Sequence, residues 1–74
     1  MENKAKEGQV IQITDEKHSW YPSLLIVKDA YKWGVQAYVI IPKSNDGSEA
    51  PSMAFIRLNN DTFEVVGDSI IKAY

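Results

Sequence analysis

The stretch SLLIVKDAYKWGVQAYVIIP, residues 23–42, decides the fold of this chain of 74 residues. Its second half alternates in the two-residue period of a β-strand, so that successive side chains face opposite sides of a sheet. The set that we predict to face the core consists of Val35, Ala37, Val39 and Ile41. The opposite side carries Gln36, Tyr38 and Ile40. We therefore predict that this half forms the longest strand of the protein.

The first half of this stretch, residues 23–33, is compatible with a strand or a helix. A helix would begin after Pro22 and end at Gly34, and both residue types are common at helix boundaries. Against a helix, Leu25 would fall on its polar face, and the surrounding run is half β-branched. We predict a strand followed by a turn. The alternative is an α+β fold in which a helix over residues 22–33 packs on an antiparallel sheet.

Three further segments outside this stretch have strand patterns. They are QVIQIT at residues 9–14, MAFIRL at residues 53–58 and TFEVV at residues 62–66. Five short strands in a flat open sheet would leave unpaired edges and an uncovered face, so we predict an all-β fold closed into a small five-stranded barrel. The predicted core consists of Ile11, Ile13, Leu25, Val27, Ala37, Val39, Ile56, Phe63 and Val65.

Length and composition allow a single small domain, which we place at residues 9–74. Residues 1–8 contain four charged side chains and no large apolar residue after Met1, which predicts a disordered tail. Residues 1–7 and 44–50 lack apolar anchors and are predicted to be mobile. The sequence has no apolar run long enough to cross a bilayer and no signal-peptide core at its start, so we expect a cytoplasmic protein that does not insert into membranes.

The residue inventory argues against most catalytic and metal chemistry. The chain has no cysteine and one histidine, which excludes disulfides, thiolate metal sites and cysteine nucleophiles. Asp15, Glu16 and His18 are the only clustered titratable residues, and their polar context predicts a solvated loop rather than an acid–base pair. No glycine-rich phosphate-binding loop is present. We therefore expect no cofactor, no metal and no enzymatic activity.

Aromatic residues are the feature that points to function. Exposed aromatic side chains and arginine are typical of protein interfaces, and six such residues form the predicted partner-binding surface. They are Trp20, Tyr21, Trp33, Tyr38, Phe55 and Arg57. Phe55 belongs to this set because Ile56 faces the core, although a register slip by one residue would reverse the two. The alternative is structural, with Trp20 and Trp33 closing the open ends of the barrel.

The order of these motifs resembles SH3-like barrels, and in particular the photosystem I reaction-centre subunit IV family and related electron-transport accessory proteins. The resemblance covers most of residues 8–66 and lies in Gly8, Val10 or Ile11, Trp20-Tyr21, Ile56-Arg57-Leu58, Asn59-Asn60 and Phe63. Members of that family dock at the acceptor side of membrane complexes. The resemblance thus implies a docking role, with a protein partner from an electron-transport or other multi-subunit complex. Arg57 is the only basic residue at a matching position.

Three classes of function follow from these patterns. We expect a non-catalytic interaction module that binds a protein partner, or a second copy of itself, through the aromatic-plus-arginine face. The alternative is binding of single-stranded nucleic acid such as RNA, because small barrels place stacking aromatics beside a basic groove. Because the chain has a net charge of −2, a basic groove forms only if the basic residues gather on one face. Those residues are Lys17, Lys28, Lys32, Lys43 and Arg57. Enzymatic activity is the third class, and the residue inventory argues against it.

Overall fold

Five antiparallel strands make up the protein, in a computed structural model that describes residues 5–44 and 53–67. In chain order they are β1 (Val10–Ile13), β2 (Leu24–Ala30), β3 (Gly34–Ile41), β4 (Phe55–Asn59) and β5 (Phe63–Gly67). A 3₁₀ helix, Asn60–Thr62, connects β4 to β5. The spatial order is β4-β3-β2-β1-β5, so β4 and β5 are the two edges of the sheet.

The all-β prediction is confirmed, including its ambiguous segment. β2 occupies most of residues 23–33, and the alternative helix over residues 22–33 is not formed. Leu25 explains the outcome, because a strand buries this side chain completely whereas a helix would have placed it on the polar side.

The prediction of a closed barrel is not confirmed, because the sheet is open. Within residues 5–44 and 53–67, β4 pairs only with β3 and β5 pairs only with β1. The connection between the two edges is held by turn hydrogen bonds instead of a ladder. The carbonyl oxygen of Thr62 accepts hydrogen bonds from the amides of Thr14 and Asp15, at 2.9 and 3.3 Å. These bonds join the 3₁₀ connection to the segment that follows β1, and no ladder links β4 to β5 in the described residues.

Apolar side chains from one face of the sheet, which we call the inner face, form the core together with Ala5 from the segment before β1. The fully buried members are Ala5, Ile11, Ile13, Leu25, Val27, Val35, Ala37, Val39, Leu58 and Phe63. The predicted core residues Ile56 and Val65 are partly buried and pack against this cluster. The alternation predicts Ile41 on the same face, but 45% of this residue is exposed. A register irregularity between Leu24 and Leu25 explains this, since it places Ile41 opposite Leu24.

Residues 5–8 belong to the predicted disordered tail, yet they contact the sheet. Ala5 is only 1% exposed, and the amide of Gly8 donates a hydrogen bond of 2.8 Å to the carbonyl oxygen of Val27. Gly8 has a φ of 90°, a conformation that glycine adopts without steric cost. The rest of the predicted tail, and residues 45–50 of the predicted mobile loop, lie outside the described residues.

Candidate functional site

A continuous row of apolar side chains crosses the outer face of the sheet, opposite the core. The strand ladders pair Val10 with Ile26, Ile26 with Tyr38, and Tyr38 with Phe55. These four residues, which we call the outer row, therefore span four adjacent strands, a distance of roughly 14 Å at the usual strand spacing. Val10, Ile26 and Tyr38 are half-buried, whereas Phe55 is 46% exposed. The row is thus least covered at the edge strand β4.

The aromatic pair at this edge is packed against itself. The ring centroids of Tyr38 and Phe55 are 4.8 Å apart, and the ring planes are tilted by 38°. Aromatic pairs in this range of geometry contribute about 0.5–1.5 kcal/mol beyond the area that they bury. The two rings consequently hold each other in place.

A second row of side chains on the same face is polar. On β3 it lies two residues from the outer row. Asp29 pairs with Gln36, and Gln36 pairs with Arg57, so this polar row crosses β2, β3 and β4 beside the outer row. In the part of the chain that the structure describes, the side chains of Asp29 and Arg57 form no hydrogen bond or salt bridge. Lys28 is the extra residue of the bulge before Asp29, and it is exposed. The polar row therefore offers unpaired charges of both signs.

Two stacked aromatic residues continue this surface at the β2–β3 hairpin. Tyr31 and Trp33 lie on either side of Lys32, with ring centroids 5.2 Å apart and ring planes only 6° from parallel. Their exposed fractions are 39% and 44%. The hydroxyl of Tyr31 donates a hydrogen bond of 3.3 Å to Oε1 of Gln36, which connects the pair to the polar row.

The hairpin is fastened to the end of β4 by close backbone packing. A Cβ atom at Gly34 would overlap the carbonyl oxygen of Leu58, so only glycine allows β3 and β4 to approach this closely. The side-chain Nδ2 of Asn60 donates a hydrogen bond of 2.7 Å to the carbonyl oxygen of Lys32. The backbone amide of Asn60 donates one of 3.1 Å to the carbonyl oxygen of Trp33. These contacts fix the stacked pair relative to Arg57 on the neighbouring strand.

Four of the six predicted site residues thus lie on one connected surface, namely Trp33, Tyr38, Phe55 and Arg57. Trp20 and Tyr21 do not join them, since both are partly buried and pack against the core. The Trp20 amide also donates a hydrogen bond of 3.0 Å to Nδ1 of His18. This position fits the structural alternative for Trp20, whereas Trp33 is exposed.

Tyr31 is the member of the surface that sequence reasoning missed. A usable signal was present, because the sequence predicts a turn ending at Gly34 and a tight hairpin brings residues 31 and 33 close together. The backbone of Tyr31 and Gly34 exchanges hydrogen bonds of 2.7 and 3.3 Å across this turn. An aromatic residue at each side of such a turn is a candidate stacking pair.

The titratable residues of the first loop take part in local turns. Oδ1 of Asp15 accepts a hydrogen bond of 3.0 Å from the Lys17 amide, and its carbonyl oxygen accepts one from the His18 amide. Across residues 5–44 and 53–67, no group of three or more His, Cys, Asp or Glu side chains is arranged to bind a metal ion. The same residues contain no helix with the length and hydropathy of a membrane span.

Comparison of the chain with protein-family models, curated proteins and solved structures gives no match in any of the three. The surface formed by the outer row, the polar row and the stacked pair is accordingly the candidate functional site of the described residues.

Proposed function

We propose that this protein is a non-catalytic interaction module that binds a protein partner through the outer face of its sheet. The observation that carries the proposal is the outer row, four apolar residues that follow one another across four strands on the side away from the core. Contiguous apolar surface of this kind is uncommon on small monomers and marks interaction sites.

The free energy of apolar burial favours an arrangement in which a partner covers this row. Full burial of a phenylalanine side chain contributes about 1.5–3 kcal/mol, and Phe55 in the isolated chain gains only part of it. A small domain has little stability to spare, and the half-exposed Phe55 leaves part of this contribution unused. Burial of Phe55 by a partner recovers the missing contribution.

The chemistry around the row suits a protein interface. Aromatic residues and arginine are enriched among the residues that dominate binding energy, and Phe55, Tyr38 and Arg57 are neighbours here. Charges at the border of an apolar centre are also characteristic of protein interfaces. Single-stranded nucleic acid, the alternative partner, is bound by a cationic groove, whereas the polar row contains Asp29 opposite Gln36. We therefore prefer a protein partner.

We further propose that the sheet is related to SH3-like barrels and that its docking role is of the kind implied by that resemblance. Support comes from the positions of the resembling motifs. Ile56-Arg57-Leu58 lies within β4, and Phe63 opens β5 directly after the 3₁₀ connection. A partner from a multi-subunit complex would meet Arg57 at the exposed edge of the sheet.

Affinity capture with matched surface variants tests the proposal. Wild-type protein, Phe55→Ala, Arg57→Ala and the loop control Lys17→Ala are immobilised, and proteins retained from a cell lysate are identified with and without ribonuclease. A retained protein is then purified and titrated into labelled wild-type protein. We expect Phe55→Ala to weaken binding about tenfold or more and Lys17→Ala to leave it unchanged. We also expect chemical-shift changes confined to the outer face.

The proposal is wrong if all variants retain the purified partner equally, or if the shift changes map to the loop around Trp20. Loss of capture after ribonuclease treatment would instead support the nucleic-acid alternative.

A further inference from the structure

The outer face has a paired pattern about β3, the strand next to the β4 edge of the sheet. β3 contributes Gln36 to the polar row and Tyr38 to the outer row. In the polar row, Asp29 on β2 and Arg57 on β4 flank Gln36, one strand away on either side. In the outer row, Ile26 and Phe55 flank Tyr38 in the same way. The polar row therefore places an anion and a cation at equal distances on the two sides of β3. The outer row places two apolar groups there in the same way.

We propose that this face binds a second copy of the chain, with the two sheets stacked about a two-fold axis that runs along β3. Such an axis exchanges β2 and β4 between the copies and leaves both rows in register. Arg57 of each copy then faces Asp29 of the other, and this pairing occurs twice. This inference rests on the proposed function and specifies its partner.

The same axis matches the apolar groups. Phe55 of each copy meets Ile26 of the other, while Tyr38 and Gln36 each meet their own counterpart. The interface thus has an apolar centre along the outer row and paired charges beside it, which is the usual arrangement in protein interfaces. Face-to-face packing of two sheets at about 10 Å, with nearly aligned strands, is a common arrangement. Two-fold dimers with self-complementary faces are the commonest oligomers.

Charge complementarity favours a second copy of the chain over a partner whose binding surface is either entirely basic or entirely acidic. A basic partner would be repelled by Arg57, and an acidic partner by Asp29. The two residues lie two strands apart, roughly 10 Å at the usual spacing, and neither side chain has a partner within the described residues. A second copy satisfies both charges at once. Lys28 lies beside Asp29 and makes no attractive pair in this arrangement, so it serves as a control position.

Sedimentation equilibrium of two charge-reversal variants tests the dimer. The Arg57→Asp chain has acidic groups at both pairing positions, and the Asp29→Arg chain has basic groups at both. Each variant alone should dissociate to monomers, with the dimer dissociation constant raised about tenfold or more, because like charges then face each other twice. An equimolar mixture of the two should form a heterodimer, since both contacts are again between opposite charges. The chain carrying both changes should recover the homodimer.

The controls separate this arrangement from other kinds of self-association. Lys28→Gln should retain the dimer, whereas Phe55→Ala should weaken it. A two-dimensional NMR spectrum establishes that each variant is folded. The inference is overturned if the wild type stays monomeric from about 1 µM to about 1 mM, or if the mixture fails to restore a dimer lost in both single variants. Unchanged dimers in both single variants would also exclude this axis.

Failure of the dimer and failure of the proposed function give different results. A monomeric wild type that still binds a different purified protein through Phe55 removes the inference and leaves the proposed function intact. A wild type that binds neither itself nor another protein through this face removes both.

Discussion

Phe63 and Phe55 are the two phenylalanines of the chain, and they lie on opposite faces of the same sheet. Phe63 is fully buried on the inner face, whereas Phe55 is 46% exposed on the outer face. Both belong to strands at an edge of the sheet, so edge position does not explain the difference. What differs is the cover, because the inner face is closed by its own core and the outer face has no layer over it in the described residues. The same side chain therefore supports folding on one face and stays partly exposed to solvent on the other.

The largest expected difference in stability between the two faces is that between substitutions of two adjacent residues of β3. Val39→Asp would bury an unpaired charge on the inner face, which costs several kcal/mol and matches the whole folding free energy of a domain this small, of the order of 5 kcal/mol. We expect this variant to be unfolded. Tyr38→Asp places the same charge on the outer face and should leave a folded protein. Dispersion of the amide NMR spectrum distinguishes the two outcomes, and a well-dispersed spectrum for Val39→Asp would contradict the assignment of the faces.

The two phenylalanines give the next largest contrast. Phe63→Ala should lower the free energy of unfolding by about 3–5 kcal/mol, because it removes a fully buried ring and leaves a cavity. Phe55→Ala should cost only about 1 kcal/mol in the monomer, since the ring is half exposed there. Urea unfolding at low protein concentration measures both values. Equal losses would mean that the outer face is as well covered as the inner one.

Gly34→Ala tests the pairing that assigns Phe55 to the outer face. Gly34 pairs with Asn59, and this register determines which side chains of β4 face outward. A Cβ at Gly34 meets the backbone of Leu58, so β3 and β4 must separate, and we expect a loss of about 2 kcal/mol. Gly67→Ala is the matched control, because its added Cβ has no neighbour within 4 Å. It should change stability by less than about 0.5 kcal/mol in the same denaturation experiment.

Alternation along the sequence predicts most of the strands and of the inner face, although the segment that forms β2 was also compatible with a helix. Val35, Ala37 and Val39 are buried as predicted, because the two-residue period is a local property of each strand. Ile41 departs from the pattern because the ladder shifts at Leu24, and such a bulge has no distinct signal in the sequence. The sequence also could not predict that the sheet is open. This depends on which distant amides form hydrogen bonds with the connection between β4 and β5.

The candidate surface was predictable where it lies on strands and not where it lies on loops. Tyr38 and Phe55 were placed together because both follow strand periodicity, and the ladder pairs them directly. Trp20 and Tyr21 lie in a loop, where no period indicates whether a side chain contacts the core or solvent. Loop aromatics therefore need a structure before they can be assigned to a binding surface.

The pairing of the first strand with the last has a consequence for anything attached to the chain. Val10, at the start of β1, is the partner of Gly67, at the end of β5, so the polypeptide enters and leaves the sheet on neighbouring strands at the same end. Val10 is also the first residue of the outer row. A segment joined directly after Gly67 would consequently begin beside Val10 and the outer row, at an effective concentration that reaches the millimolar range for short flexible linkers. The site of such a fusion thus becomes a variable in any binding measurement, because an apolar appendage at that point would lie within reach of the outer row.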